Sequence, residues 1–100
     1  MRRLRLLALA LALTATGSGA CRRHSMSPED CALVLDRITE LELAESGFRD
    51  PVLVARRKAE LRARFGDELR LCEGKRAGAD FLACIRRANT AEELSHRCFR

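Results

Sequence analysis

Residues 27–54, "SPEDCALVLDRITELELAESGFRDPVLV", decide the fold, because this stretch contains two helix starts separated by one helix end. Ser27 is a favourable N-cap residue, and Pro28 is favoured at the first helical position. Apolar residues then recur at the helical spacing until Ser46 and Gly47, where we expect the helix to end. The apolar residues of this stripe are Cys31, Val34, Leu35, Ile38 and Leu41.

A second helix is predicted to begin at the end of the same stretch. Asp50 is a capping residue and Pro51 follows it, so the connection between the two helices has only four residues, 47–50. A connection this short predicts an antiparallel helical hairpin. Gly66 interrupts the second helix and predicts a kink or a division there, and residues 74–78 should end it. Its apolar side carries Val54, Leu61, Phe65, Leu69 and Cys72.

Two shorter helices are predicted in the remaining chain. One runs over about 79–88, and the pattern of Thr90 followed by Glu93 is a capping box that begins the last. No stretch alternates apolar and polar residues for long enough to indicate a strand. The sequence therefore predicts an all-α fold, a small four-helix domain over residues 28–100 built from antiparallel helical hairpins.

The cysteines predict two disulfides. The domain has four Phe, no Trp and no Tyr, so its core is thin and cross-links are a sufficient structural reason for Cys31, Cys72, Cys84 and Cys98. Helix lengths place Cys84 and Cys98 within about one turn of each other in height. Cys31 and Cys72 meet if the chain folds back at Gly66. The positions of the cysteines along their helices favour a disulfide between Cys31 and Cys72 and one between Cys84 and Cys98, while the other two pairings stay open.

A metal centre or a redox centre is the alternative interpretation of the cysteines. The sequence has no CxxC motif, and Cys72, Cys84, His96 and Cys98 lack the close paired spacing typical of zinc ligands. His96 precedes Cys98 by two residues, which on a helix places the two side chains on different faces. We therefore expect no metal, no cofactor and no catalytic pair.

The first twenty residues have the organisation of a secretory signal. Arg2, Arg3 and Arg5 form a basic start, residues 6–13 an apolar core, and residues 14–20 a tail of mostly small side chains. The apolar core is far shorter than the roughly 20 residues that a transmembrane helix needs. Residues 1–20 are thus predicted to be a signal peptide that is removed.

The segment "SGAC", residues 18–21, resembles the lipobox of bacterial lipoproteins. The resemblance implies that Cys21 carries a diacylglyceryl group and becomes the first residue, and that residues 21–27 are a lipidated tether. Acylation of Cys21 also leaves an even number of cysteines to pair. An aspartate directly after the acylated cysteine resembles an inner-membrane retention signal of enteric bacteria. This chain has Arg22 at that position, which favours an outer-membrane location facing the periplasm.

Plain secretion is the alternative fate. Ser18 stands where the lipobox usually has Leu, and Ser18 with Ala20 also fits the small-x-small rule of ordinary signal peptidase. Cleavage at the same bond would then release a soluble periplasmic or secreted protein.

Charge narrows the range of partners. Removal of residues 1–20 leaves 16 basic and 14 acidic residues, and no basic stripe interleaved with aromatic residues accompanies them, so no nucleic-acid role is expected. Acidic residues crowd the end of the first helix, and basic residues follow on the second. They are either ion pairs across the hairpin or a surface that binds a partner. These possible partner-binding residues are Glu40, Glu42, Glu45, Arg56 and Arg57.

As a whole, the chain is similar to small, cysteine-bearing envelope lipoproteins of Gram-negative bacteria. The resemblance implies a lipid-anchored binding or structural accessory of the cell envelope, held to the membrane by its anchor, with an envelope protein as its partner. The alternative is a soluble secreted helical module that inhibits or chaperones another exported protein. No nucleophile, base and acid occur in a catalytic arrangement, so an enzyme is not expected.

Overall fold

The structure is a computed structural model that describes residues 23–99. This part of the chain is mostly helical, as predicted, with five α-helices and one two-stranded antiparallel sheet. The predicted signal peptide and Cys21 lie outside the described residues. Between residues 23 and 99, no helix is long and apolar enough to cross a membrane. The elements are β1 (His24–Ser25), α1 (Pro28–Glu45), α2 (Pro51–Arg64), α3 (Gly66–Cys72), β2 (Arg76–Ala77), α4 (Phe81–Arg87) and α5 (Ala91–Arg97).

Helix α1 begins and ends where its local sequence predicts. The Ser27 hydroxyl accepts a hydrogen bond from the Asp30 backbone N–H at 3.1 Å, and the Asp30 carboxylate accepts one from the Ser27 N–H at 3.0 Å. This reciprocal capping box gives acceptors to two backbone N–H groups that have none within the helix. The helix ends at Glu45, and Gly47 turns the chain with a φ of +87°.

The described residues contain five helices and not four, because the second predicted helix is divided at Gly66, where the sequence predicted a kink or a division. Phe65 ends α2 and begins α3 with φ −100° and ψ 28°, so the backbone leaves helical geometry for one residue. The Phe65 N–H still donates to the carbonyl of Leu61 at 2.8 Å. Glycine is a poor helix former, and Gly66 at this point makes the break less costly.

The strand pair was not predicted. His24 pairs with Ala77 and Ser25 with Arg76, and the Met26 N–H donates to the carbonyl of Lys75 at 2.8 Å. Two-residue strands have no alternating pattern that a sequence could reveal. Part of the segment interpreted as a tether, residues 21–27, therefore belongs to the folded domain, and the side chain of Met26 is buried.

The core lies where α1 meets α4 and α5. Helix α2 contains no buried residue, so it packs on the outside of this core. Partly buried side chains, among them Val34, Ile38 and Phe81, surround the central cluster. The buried cluster consists of Leu41, Ile85, Ala88, Leu94 and Cys98.

Two disulfides cross-link the helices. Cys31 in α1 is bonded to Cys72 at the end of α3, with 6.1 Å between their Cα atoms. Cys84 in α4 is bonded to Cys98, which follows α5, with 5.7 Å between the Cα atoms. This is the pairing that helix heights favoured. Disulfides persist in oxidising compartments, so the two bonds are consistent with an extracellular or periplasmic location.

We expect Gly47→Ala to lower the free energy of unfolding by about 1 kcal/mol, because alanine is strained in the left-handed region that Gly47 occupies. Gly66→Ala is the matched control. Gly66 has no positive φ and no atom within 4 Å of an added Cβ, so alanine there should be neutral or stabilise the protein by up to about 1 kcal/mol. Urea unfolding of both variants measures the difference. Equal losses of stability would contradict the role given to the Gly47 turn.

Candidate functional site

Glu40, the first of the predicted partner-binding residues, already binds other residues of the chain. Its carboxylate accepts hydrogen bonds from Arg37 at 3.1 Å and from the ammonium group of Lys58. Partial burial raises the pKa of Glu40, but the hydrogen bonds from Lys58 and Arg37 outweigh it and the net pKa lies below its usual value. Glu40 thus connects α1 to α2 and is not available to a partner without losing these bonds.

Two more of the predicted residues also bind within the chain. The Glu45 carboxylate accepts a hydrogen bond from the backbone N–H of Ala91 at 2.8 Å, at the start of α5. Arg57 forms an ion pair with Glu60 at 3.2 Å on its own helix. The structure therefore distributes these side chains over separate contacts and does not gather them into one patch.

Glu42 and Arg56 are exposed. In the described chain, neither side chain forms an ion pair. These two side chains are accordingly the ones of the predicted set that remain open to an external partner.

The ion pairs between α1 and α2 join residues that are spaced symmetrically along the sequence. Arg62 Nε donates to Asp36 Oδ1 at 2.8 Å, and this hydrogen bond raises the pKa of Arg62. Asp36 and Arg62 lie thirteen residues either side of Arg49, and Glu40 and Lys58 lie nine either side. Symmetric spacing about Arg49 would have predicted both pairs.

The turn between α1 and α2 exposes a cluster of apolar side chains. We call Phe48, Val52 and Leu53 the hairpin tip; their exposed fractions are 51%, 67% and 40%. The Phe48 N–H donates to the carbonyl of Leu43 at 2.8 Å, which holds the turn against the end of α1. A shallow cavity of about 270 Å³ lies beside the tip, between Leu43 and Arg56. Large apolar side chains gathered on a surface are typical of interaction sites.

A second surface feature lies beside the strand pair. We call it the ribbon groove, a depression of about 750 Å³ between strand β2 and the Cys84–Cys98 disulfide. Its floor includes Met26 and Phe81, and the Phe81 ring lies 5.7 Å from the ring of Phe99, centroid to centroid. The charged side chains that line it are Arg23, Lys75, Arg76, Arg97 and Asp80.

Three of the four cations of the ribbon groove have no ion-pair partner among residues 23–99. Arg97 lies 3.2 Å from the carboxylate of Glu93. Arg23, Lys75 and Arg76 are exposed, and none of them forms an ion pair with another residue of the described range 23–99. The groove therefore has a net positive charge, which sequence spacing did not reveal because the strand pair joins the segment after Arg23 to Arg76, from more than fifty residues away.

A hydrogen bond between two side chains holds strand β1 to the start of α1. His24 Nε2 lies 2.6 Å from Asp30 Oδ2, within hydrogen-bond distance. The backbone N–H of Ser27, and after it the His24 ring, lower the pKa of Asp30 to about 2. The carboxylate is thus ionised at physiological pH. Its stabilising contacts are present above the usual pKa and are lost only as pH falls towards 2.

The remaining cavities show no chemical site. One of them, about 690 Å³, runs along α1 between Asp36 and Arg86, and Arg37 Nε beside it has no hydrogen-bond partner among the described residues. The other Arg37 nitrogens bind Glu40 and the carbonyl of Ala88 at 2.6 Å. In the range 23–99, no three His, Cys, Asp or Glu side chains are grouped so that they could hold a metal ion.

The fold and its surfaces define a small, mostly helical domain with two disulfides, an exposed apolar turn and a basic groove. Comparisons of the chain with protein-family models, with curated proteins and with solved structures found no match.

Proposed function

We propose that this is an exported, lipid-anchored helical protein that acts as a binding or structural accessory in the cell envelope, without catalytic activity. The signal-like residues 1–20 and the lipobox-like "SGAC" support export and acylation of Cys21. The two disulfides support an oxidising destination. The proposed location is the outer membrane, with the domain facing the periplasm.

The proposal includes an antiparallel α1–α2 hairpin. Its support is the order of the ion pairs. Asp36 contacts Arg62. Glu40 lies further along α1 than Asp36, and it contacts Lys58, which lies earlier in α2 than Arg62. Helix α1 has 18 residues and is therefore about 27 Å long. The lipidated cysteine would precede one end of this helix, and the hairpin tip lies at the other end. The anchor would thus hold the tip well away from the bilayer.

The hairpin tip is the proposed binding surface for an envelope protein, and its exposure is the observation that carries the function. Phe48, Val52 and Leu53 are apolar and exposed, although partly buried side chains of the same chemistry pack against the core elsewhere. Arg56 beside them is exposed and lacks an ion pair with residues 23–99. A partner with an apolar surface bordered by carboxylates would cover this cluster.

Photo-crosslinking in intact cells tests the proposed binding surface. A photoreactive amino acid at Val52, which is 67% exposed, should give a covalent adduct with a protein of one defined size. The matched control is Leu71 in α3, an equally exposed apolar side chain at 69%, which should give none. Adducts at both positions, or at neither, would contradict the assignment of partner binding to the tip.

The secreted inhibitor or chaperone remains the second candidate because plain cleavage after Ala20 would leave the same tip exposed. Globomycin, which blocks the lipoprotein peptidase, separates the two. It should cause a larger precursor to accumulate if Cys21 is acylated, and should leave processing unchanged if the protein is simply secreted.

A further inference from the structure

We propose that the ribbon groove binds the phosphate groups of anionic phospholipids in the membrane leaflet that holds the acyl chains of Cys21. The inference rests on the proposed acylation and adds a second contact with the membrane, made by the folded domain. Three parts of the chain would form it: Arg23 before β1, Lys75 and Arg76 at β2, and the apolar floor beside α4.

The connection to Cys21 places this groove at the membrane surface. Arg23 follows Cys21 by two residues, and two residues of fully extended chain span about 7 Å. An acylated Cys21 would therefore keep Arg23 within about 7 Å of the residue that enters the lipid headgroups. This limit follows from covalent geometry alone.

The strand pair brings the other cations to the same place. Ser25 pairs with Arg76, and the Met26 N–H donates to the carbonyl of Lys75 at 2.8 Å. Paired strands lie about 4.8 Å apart, so Arg76 lies on the strand next to the segment that Arg23 begins, and Lys75 immediately precedes that strand. Because backbone hydrogen bonds hold these strands together, Arg23, Lys75 and Arg76 line the same groove before any lipid binds.

The charge of the groove matches a phosphate surface. Arg23, Lys75 and Arg76 are exposed and unpaired within residues 23–99, and Asp80 is the acidic residue of the lining. A basic residue near an anionic bilayer strengthens binding by a factor of about five, so three of them should give roughly 100-fold. The apolar floor around Phe81 and the exposed Phe99 would face the glycerol and upper acyl region.

Vesicle binding tests the inference, with the purified mature chain 21–100 carrying Cys21→Ser so that acyl insertion does not dominate. All described elements lie in this chain. It should bind phosphatidylcholine vesicles that contain phosphatidylglycerol roughly 100-fold more strongly than pure phosphatidylcholine vesicles, and added salt should weaken the binding. Equal binding to both kinds of vesicle would overturn the inference.

Matched variants locate the binding surface. Lys75→Ala with Arg76→Ala should weaken binding to the anionic vesicles by about 25-fold, a factor of about five for each charge. Arg56→Ala with Arg57→Ala removes the same charge beside the hairpin tip and should change binding by less than about twofold. Equal losses in the two variants would show that net charge, and not the groove, attracts the vesicles. Circular dichroism of both variants should match that of the parent chain.

Two further results separate this inference from neighbouring ones. Inorganic phosphate should compete with the vesicles no better than chloride at equal ionic strength; stronger competition would assign the groove to free phosphate and overturn the phospholipid assignment. Palmitate labelling of the wild-type protein in cells reports the anchor independently. Labelling without a vesicle preference would refute the groove alone, and a vesicle preference without labelling would refute the proposed acylation.

Discussion

Replacing Cys31 and Cys72 together with alanine is expected to leave most of the domain unfolded at growth temperature. This disulfide closes a loop of 41 residues, and the loss of such a constraint on the unfolded chain corresponds to about 4 kcal/mol. A domain of this size has a core that supplies only about 3–5 kcal/mol of net stability. Helix α3 is the element most affected, because it has no buried residue and depends on Cys72 for its covalent link to α1.

Thermal unfolding followed by circular dichroism measures this effect. The comparison variant replaces Cys84 and Cys98, whose loop of 14 residues predicts a smaller constraint of about 3 kcal/mol. A reductant should lower the midpoint of the wild-type protein, and in the variant without Cys31 and Cys72 it should act on the second bond alone. A wild-type midpoint that the reductant does not move would contradict a structural role for the disulfides.

Replacing Cys21 with serine is expected to release the protein from the membrane fraction and to abolish its labelling by palmitate. Serine has no thiol to receive the diacylglyceryl group, and no helix between residues 23 and 99 could span the bilayer in its place. The ribbon groove alone should hold the protein only weakly, in a way that high salt reverses. Fractionation of cells in low and high salt separates these two contributions.

Ser18→Leu is the matched control for the anchor. It supplies the aliphatic residue that the lipobox usually has at this position, and it leaves Cys21 in place. Membrane association and palmitate labelling should be retained or increased in this variant. Two results together would contradict acylation: a wild-type protein without palmitate label, and a Cys21→Ser variant that stays in the membrane fraction.

Local signals predicted the helix starts, and contacts distant in sequence account for what was missed. Ser27 and Asp50 act within three residues of themselves, so their hydrogen bonds can be deduced from neighbouring residues alone. The same holds for Thr90, whose side chain accepts a hydrogen bond from the Glu93 N–H, while Glu93 itself accepts from Asn89. Strand β1, in contrast, exists because residues 76–77 lie beside it, and no local pattern predicts that.

The candidate surfaces, too, were predicted where local sequence decides them and missed where distant contacts do. The acidic residues of α1 were identified from the sequence, with Arg56 and Arg57 among the basic residues expected within their reach, but Lys58 is the residue of α2 that contacts Glu40. The side of α2 that faces α1 depends on the angle at which the helix leaves the turn, which spacing does not determine. The ribbon groove was missed, because a strand pair between distant segments creates it.

The mass of the intact protein isolated from membranes tests the central claim, a lipid-anchored domain cross-linked by two disulfides. We predict a chain that begins at Cys21, carries the added mass of acyl groups on that residue, and has four hydrogens fewer than its reduced form. An unmodified chain that begins at Cys21, or four free thiols among the remaining cysteines, would contradict it.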